Sequence, residues 1–304
     1  MRPRPAICCA LLVVLAGCGG FAGSQQTRDP FTVDETATPA GTDTPTTAGG
    51  SSGQFHPDPE NDTIGDPRVF LTSQARALNG TSYTVGSSYS VHAGNGSLLY
   101  RSTGGGSFAA NRTRFVSSIQ TGGSIPPREQ FVAVFADGER VYTKERRNGS
   151  SQVRLERGPD GDPIDPSQAT VKVTGRGQET QFLYTFFDAV NVTSVDKRFE
   201  DRPGLDGPLY AIRGTGTAED LVVNPVPNVA GNATNLSLTA LVDSRGFVVE
   251  FHVSYDVHTE DGVVHVERSL YYEDIGETTV QTPPEVESYL NGTNETTTST
   301  PAVR

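Results

Sequence analysis

Along most of the chain after Leu78, apolar side chains alternate with polar ones, while two stretches keep the spacing of a helix face. The first, "TIGDPRVFLTSQARAL" from Thr63 to Leu78, predicts a helix after Pro67 with Val69, Phe70, Ala75 and Leu78 near one face, stopped by Asn79-Gly80. Period two then takes over in "TSYTVGSSYSVH", "SFAANRTRFVSSIQ" and "QFVAVFADGERVYTKERRNGSSQVRLER". There Phe131, Ala133 and Phe135 alternate with Val132 and Val134, and Asp137-Gly138 and Asn148-Gly149 read as hairpin turns. The second helical stretch is "ETQFLYTFFDAVNVTSV", with Phe182, Phe186 and Ala189 on one face and Leu183 and Phe187 beside it. Strands resume in "PLYAIRGTGT" and "NLSLTALVDSRGFVVEFHVSYDVHTEDGVVHVERSLYYEDIGETTV", with turns at Ser244-Arg245-Gly246 and Thr259 to Gly262. Pro283-Pro284 ends the last strand, and "EVESYL" reads as a short final helix.

Before this domain stands a different pattern. Arg2 and Arg4 precede an apolar run from Ala6 to Leu15, too short to span a bilayer, as in a secretory signal. Leu15-Ala16-Gly17-Cys18 resembles the lipobox of bacterial and archaeal lipoproteins. That resemblance implies lipid on the Cys18 sulfur and a chain cleaved to begin at Cys18. The expected boundaries are therefore a signal over 1–17, a lipidated Cys18 with a Thr-, Gly- and Pro-rich disordered tether over 18–62, a domain over 63–290 and a loose tail over 291–304. The protein is expected on the outer face of a cell membrane, held there by its lipid.

Composition narrows the function. Cys8 and Cys9 leave with the signal, so no disulfide, zinc site or thiol catalyst is expected in the domain. The formal net charge is −12, and loss of Arg2 and Arg4 makes it more negative. Lys144, Lys172 and Lys197 are the only lysines among 24 basic residues. An acidic, lysine-poor, Thr-rich chain fits a high-salt exterior and offers no basic patch to nucleic acid. Asn-x-Ser/Thr acceptors at Asn79, Asn95, Asn111, Asn148, Asn191 and Asn232 are glycosylation candidates, with further triplets at Asn61, Asn235, Asn291 and Asn294.

Chemistry is sparse. The domain has no Gly-x-Ser-x-Gly elbow, His-Glu-x-x-His pair or phosphate loop, and "GTGTAED" from Gly214 has Glu219 where a dinucleotide fingerprint needs its third glycine. In "HVSYDVHTEDGVVH" the predicted hairpin sets Asp256 opposite His265 and His258 opposite Val263, which puts Asp256, His258 and His265 on one face. Three such ligands can hold a metal, yet a solvent-facing sheet surface carries polar residues without one. "GPDGDPIDP" offers Asp160, Asp162 and Asp165 but has Val171 where a calcium loop needs its closing Glu. No cofactor and no catalysis are expected.

Helix, hairpins, helical insertion and final meander together resemble the LolA/LolB and LppX/LprG class of lipoprotein carriers. The resemblance runs through "FADGERVYTKERRNG", "LVDSRGFVVEFHVSY" and "YYEDIGETTVQTPPEV". With its lipobox and Thr-rich tether, the chain also resembles an uncharacterised group of haloarchaeal lipoproteins. The carrier class implies an α+β, mainly β fold, in which a curved antiparallel half-barrel wraps around a few helices and encloses an apolar cavity for a lipid or other hydrophobic ligand. Phe131, Phe135, Tyr142, Phe182, Phe186 and Phe187 are the candidates for that cavity's wall. The alternative is an envelope scaffold or protein-interaction lipoprotein whose core is closed, and the same aromatic residues fill such a core equally well.

Overall fold

The computed structural model describes residues 55–125, 130–147, 150–169, 178–200, 202–205, 207–217, 222–226, 229–260 and 262–292. A 3-10 turn over Pro67–Val69, capped by Asp66 Oδ1 on the Arg68 amide at 2.9 Å, leads into α1 (Phe70–Leu78). Six strands follow: β1 (Tyr83–Ala93), β2 (Leu98–Phe108), β3 (Arg114–Gly123), β4 (Gln130–Asp137), β5 (Val141–Arg147) and β6 (Ser150–Leu155). Then come α2 (Gln178–Ala189), β7 (Asn191–Arg198), β8 (Leu209–Gly216), β9 (Val222–Val226), β10 (Val229–Asp243), β11 (Val248–Thr259), β12 (Gly262–Glu273) and α3 (Pro284–Leu290).

The strands form one open, curved antiparallel sheet in the order β6-β5-β4-β3-β2-β1-β12-β11-β10-β8-β7, with β9 paired to β10. Two meanders, β1 to β6 and β10 to β12, are joined by the β1–β12 ladder. The mainly β, antiparallel class expected from the alternation is the one observed.

Close strand approach has a local cause in β2. A Cβ on Gly105 would sit 2.6 Å from the Val85 carbonyl oxygen, and one on Gly106 would sit 2.5 Å from that of Val116. Only glycine lets both neighbouring backbones come so close.

Alternation decides which face is core. In β11, Val249, Phe251, Val253, Tyr255 and Val257 are buried, while Glu250, His252 and His258 are exposed on the other side. Onto the buried face α2 packs Phe182, Phe186 and Phe187, with Phe187 stacked on Phe70 of α1 at 4.2 Å and Phe182 edge-on to Phe251 at 5.3 Å.

Three details depart from the sequence expectations. Ser73 and Gln74, not Ala75, are buried on α1; Ala75 is exposed. Packing also begins before Thr63: Phe55 is buried against Phe70 and Tyr210, and Asp62 accepts a hydrogen bond from the Val195 amide at 2.9 Å. The expected tether boundary at residue 62 therefore falls inside packed structure. Third, a smaller cluster of Phe135, Tyr142, Val280 and Val286 lies on the reverse face of the sheet, under α3. Register explains it, because Val116, Phe135, Tyr142 and Leu155 lie side by side across β3 to β6, out of phase with the core-facing row Phe108, Phe115, Ala136 and Val141.

Candidate functional site

The six aromatic candidates do not share one wall. Phe182, Phe186 and Phe187 are packed ring against ring in the core between α2 and β11. Phe135 and Tyr142 stack at 6.2 Å on the reverse face, where burial pushes the Tyr142 phenol up. Phe131, half-buried on that same reverse face, lies beneath Lys144 at 5.7 Å and Arg146 at 5.5 Å. A two-residue step along a strand keeps a side chain on its face, and the sequence does not say which face α3 will cover.

The core face of β1 to β5 differs from that of β8 to β12. Ile119 and Val132 are register partners there, and neither belongs to either apolar cluster. Beside them Thr121 is 3% exposed, Gln130 8% and Thr143 1%. Thr121 Oγ1, Gln130 Nε2 and Thr143 Oγ1 have no hydrogen-bond partner. A buried polar atom left unpaired costs about 1–3 kcal/mol, and native folds hold few of them. Three in adjacent strands mark a polar patch that the fold covers but does not pair. These positions read in sequence as ordinary strand residues; the signal was polar side chains at core-phase positions, visible only once the phase of each strand is known.

One register row runs through this region: Leu238, Val253, Arg268, Tyr89, Ser102, Thr121 and Gln130 are consecutive cross-strand partners from β10 to β4. Partners across a ladder share a face. Leu238 and Val253 are fully buried, and the row turns polar at Arg268, whose guanidinium stacks on the Phe182 ring at 3.6 Å.

On the outer face the β11–β12 hairpin has the predicted register, Asp256 to His265 and His258 to Val263. His265 Nδ1 lies 2.9 Å from Asp256 and its Nε2 3.7 Å from Glu267; Asn235 donates to Asp256 at 2.7 Å. Burial raises the Asp256 carboxyl, but the hydrogen bonds from Asn235 and His265 and the nearby His265 and His258 hold it below its ordinary value. These are exposed partners of one another; among the described residues no group of three or more His, Cys, Asp or Glu is arranged to hold a metal ion. The acidic turn at Asp160 to Asp165 closes on itself: Gly158 donates to the Asp162 carbonyl at 2.7 Å, and Asp165 accepts from Ser167.

A depression of about 670 Å³ opens on this outer face, with Arg198, Arg202, Arg213, Glu250, His252 and Tyr271 in its lining. Arg202 is paired with Glu250 at 2.7 Å and Arg213 with Asp196 at 3.1 Å, so charged pairs stand beside the apolar part of its lining, Ile212, Leu241 and Leu270 included. It is not the expected apolar cavity.

Asn79, Asn95, Asn111, Asn191 and Asn232 are all exposed, as glycosylation would require. Asn148 and Cys18 lie outside the described residues. Among the described residues no helix is long and apolar enough to cross a membrane.

No protein-family model matches the sequence, and no curated protein matches it. Among solved structures, a DUF1329 family protein from Desulfovibrio piger aligns over 73% of this chain and 95% of its own, at 10% identity and a TM-score of 0.22. An "outer membrane lipoprotein-sorting protein domain" from Vibrio parahaemolyticus aligns over 74% of this chain and 97% of its own, at 7% identity and a TM-score of 0.22. Superpositions this loose carry no argument for function.

Proposed function

We propose that the protein is a non-catalytic, membrane-anchored extracellular lipoprotein that binds a lipid or other hydrophobic molecule on the core face of β1 to β5. The observation that supports this most directly is the pairing of Ile119 and Val132, outside both apolar clusters, with the unpartnered buried atoms of Thr121, Gln130 and Thr143. A ligand with an apolar body and a polar end completes both deficits at once. The half-barrel likeness drawn from the sequence agrees with this use of a curved sheet. Lipid on Cys18, followed by the tether, would keep the site within reach of the bilayer, where such ligands reside.

A closed scaffold is the second reading. It is favoured by the aromatic packing of Phe182, Phe186 and Phe187, which leaves the β8 to β12 half solid.

The test is uptake of a neutral apolar fluorophore, N-phenylnaphthylamine, by the full chain stripped of lipid. Binding at one probe per chain, abolished in Ile119→Trp while the melting temperature is kept, is the expected result. No uptake, or uptake indifferent to Ile119→Trp, supports the scaffold instead.

A further inference from the structure

The row that crosses the proposed binding face has an unusual chemical polarity. Arg268 is the residue at which it leaves the apolar half, and the guanidinium is half-buried on the core side with an aromatic ring for company. Among the described residues no carboxylate or hydrogen-bond acceptor pairs with it. A partly desolvated cation without a counter-ion is costly, and guanidinium stacking on Phe182 offsets only part of that cost. Beyond Arg268 the same row continues through Tyr89 to Ser102, Thr121 and Gln130. Of these, Thr121 Oγ1 and Gln130 Nε2 are buried and unpartnered.

Arg268, Ser102, Thr121 and Gln130 each carry a donor group. Arg offers five N–H groups, the Gln amide nitrogen two, and the hydroxyls one each. The carboxylates closest in register on this face are taken: Glu145, one row away beside Val132, pairs with Arg154 at 3.1 Å, and Arg154 also holds Glu156 at 2.8 Å. What the row lacks is negative charge to set against Arg268. Adjacent strands are about 4.8 Å apart, so the row from Arg268 to Gln130 spans about 19 Å at the backbone, less at the side-chain tips of a concave face. A headgroup with an anionic end and several further oxygens bridges such a span; a single small anion does not.

We propose that Arg268 and the Ser102, Thr121 and Gln130 row receive the anionic, oxygen-rich headgroup of an amphiphile, whose hydrocarbon lies over Ile119 and Val132. The ligand class is thus a phosphate- or sulfate-bearing lipid, not a neutral one. This rests on the binding proposed above and names the end of the ligand that the site selects. Charge-assisted hydrogen bonds from Arg268 supply the preference, and the neutral donors fix the orientation.

The experiment compares three amphiphiles of one chain length, dodecyl phosphate, dodecyl maltoside and dodecyltrimethylammonium, each below its micelle threshold, titrated calorimetrically into the full chain stripped of lipid. Dodecyl phosphate is expected to bind at least about tenfold more tightly than either of the others. Arg268→Gln should remove that preference, with an unchanged melting temperature showing that the variant is folded. Arg268→Lys should restore part of it, and Thr121→Val should weaken dodecyl phosphate alone. Equal binding of all three heads, or a phosphate preference that survives Arg268→Gln, overturns the headgroup assignment while leaving hydrophobic binding intact. Failure of all three to bind removes the underlying function as well.

Discussion

Gln74 and Val248, 174 positions apart in the chain, are joined by two hydrogen bonds: the Gln74 amide donates to the Val248 carbonyl at 3.0 Å and accepts from the Val248 amide at 2.9 Å. A helix side chain thereby takes the part of a neighbouring strand at the first residue of β11. Gln74 is 3% exposed, so water cannot substitute. Gln74→Leu leaves both backbone groups of Val248 unpaired and should cost about 2–4 kcal/mol, read from the midpoint of denaturant unfolding. A loss below about 0.5 kcal/mol would show that α1 is not clamped this way.

The unpartnered threonines on the core face should behave in the opposite sense. Thr121→Val and Thr143→Val each remove an orphaned hydroxyl without changing shape, and each should raise the stability of the lipid-free protein by about 1 kcal/mol. Thr121→Val should weaken dodecyl phosphate at the same time, the usual exchange of stability for function at a binding site. Thermal unfolding in parallel with the titrations checks both arms. If either valine variant destabilises the empty protein, its hydroxyl has an internal role that contradicts the account.

The seating of α3 carries a pH dependence. Lys144 Nζ lies 2.5 Å from Glu285 Oε1, and that hydrogen bond holds the Glu285 carboxyl below its ordinary value. A depressed carboxyl contributes stability that is present above its unfolded-state value, about 4.3, and is lost as pH falls through the folded one. Glu285 is half exposed, so the contribution stays below about 1 kcal/mol and shrinks with salt. Hydrogen exchange at the α3 amides should therefore quicken between pH 5 and pH 3 by more than the intrinsic rate predicts, and Lys144→Met should flatten that change. Identical profiles for the two proteins would rule out the pair as the clamp.

Tyr271 lies across Gly86, its register partner on β1, so closely that a Cβ at Gly86 would overlap the ring. An aromatic side chain covering a strand glycine compensates for what the glycine lacks. Gly86→Val must expel the ring and is expected to cost about 1–3 kcal/mol; the double variant Gly86→Val with Tyr271→Ser should recover part of that loss. Strict additivity of the two changes would mean that the contact is incidental.

Much of this architecture is legible in the sequence because its signals are local. Asp137-Gly138, Ser244 to Gly246 and Thr259 to Gly262 mark the turns that the strands observe, with Gly138 at φ 111° and Gly246 at φ 83°. Alternation along "FVVEFHVSY" assigns the core face of β11 correctly. What alternation leaves open is which of two sides a strand buried on both will lend to which cluster. Phe135 and Tyr142 are aromatic like Phe182, yet their strand phase puts them on the reverse face under α3, and nothing local in "PPEVESYL" says where that helix docks. Gln74 and Arg268 were illegible for a related reason: a polar residue reads as surface until long-range pairing places it inside.

The central claim is that the core face of β1 to β5 holds an amphiphile, and the most direct measurement is native mass spectrometry of the full chain purified gently from the cells that make it. The account predicts one tightly retained lipid per chain, bearing phosphate or sulfate and lost from the Ile119→Trp variant. A chain that emerges empty, and stays empty when mixed with anionic amphiphiles, would contradict it.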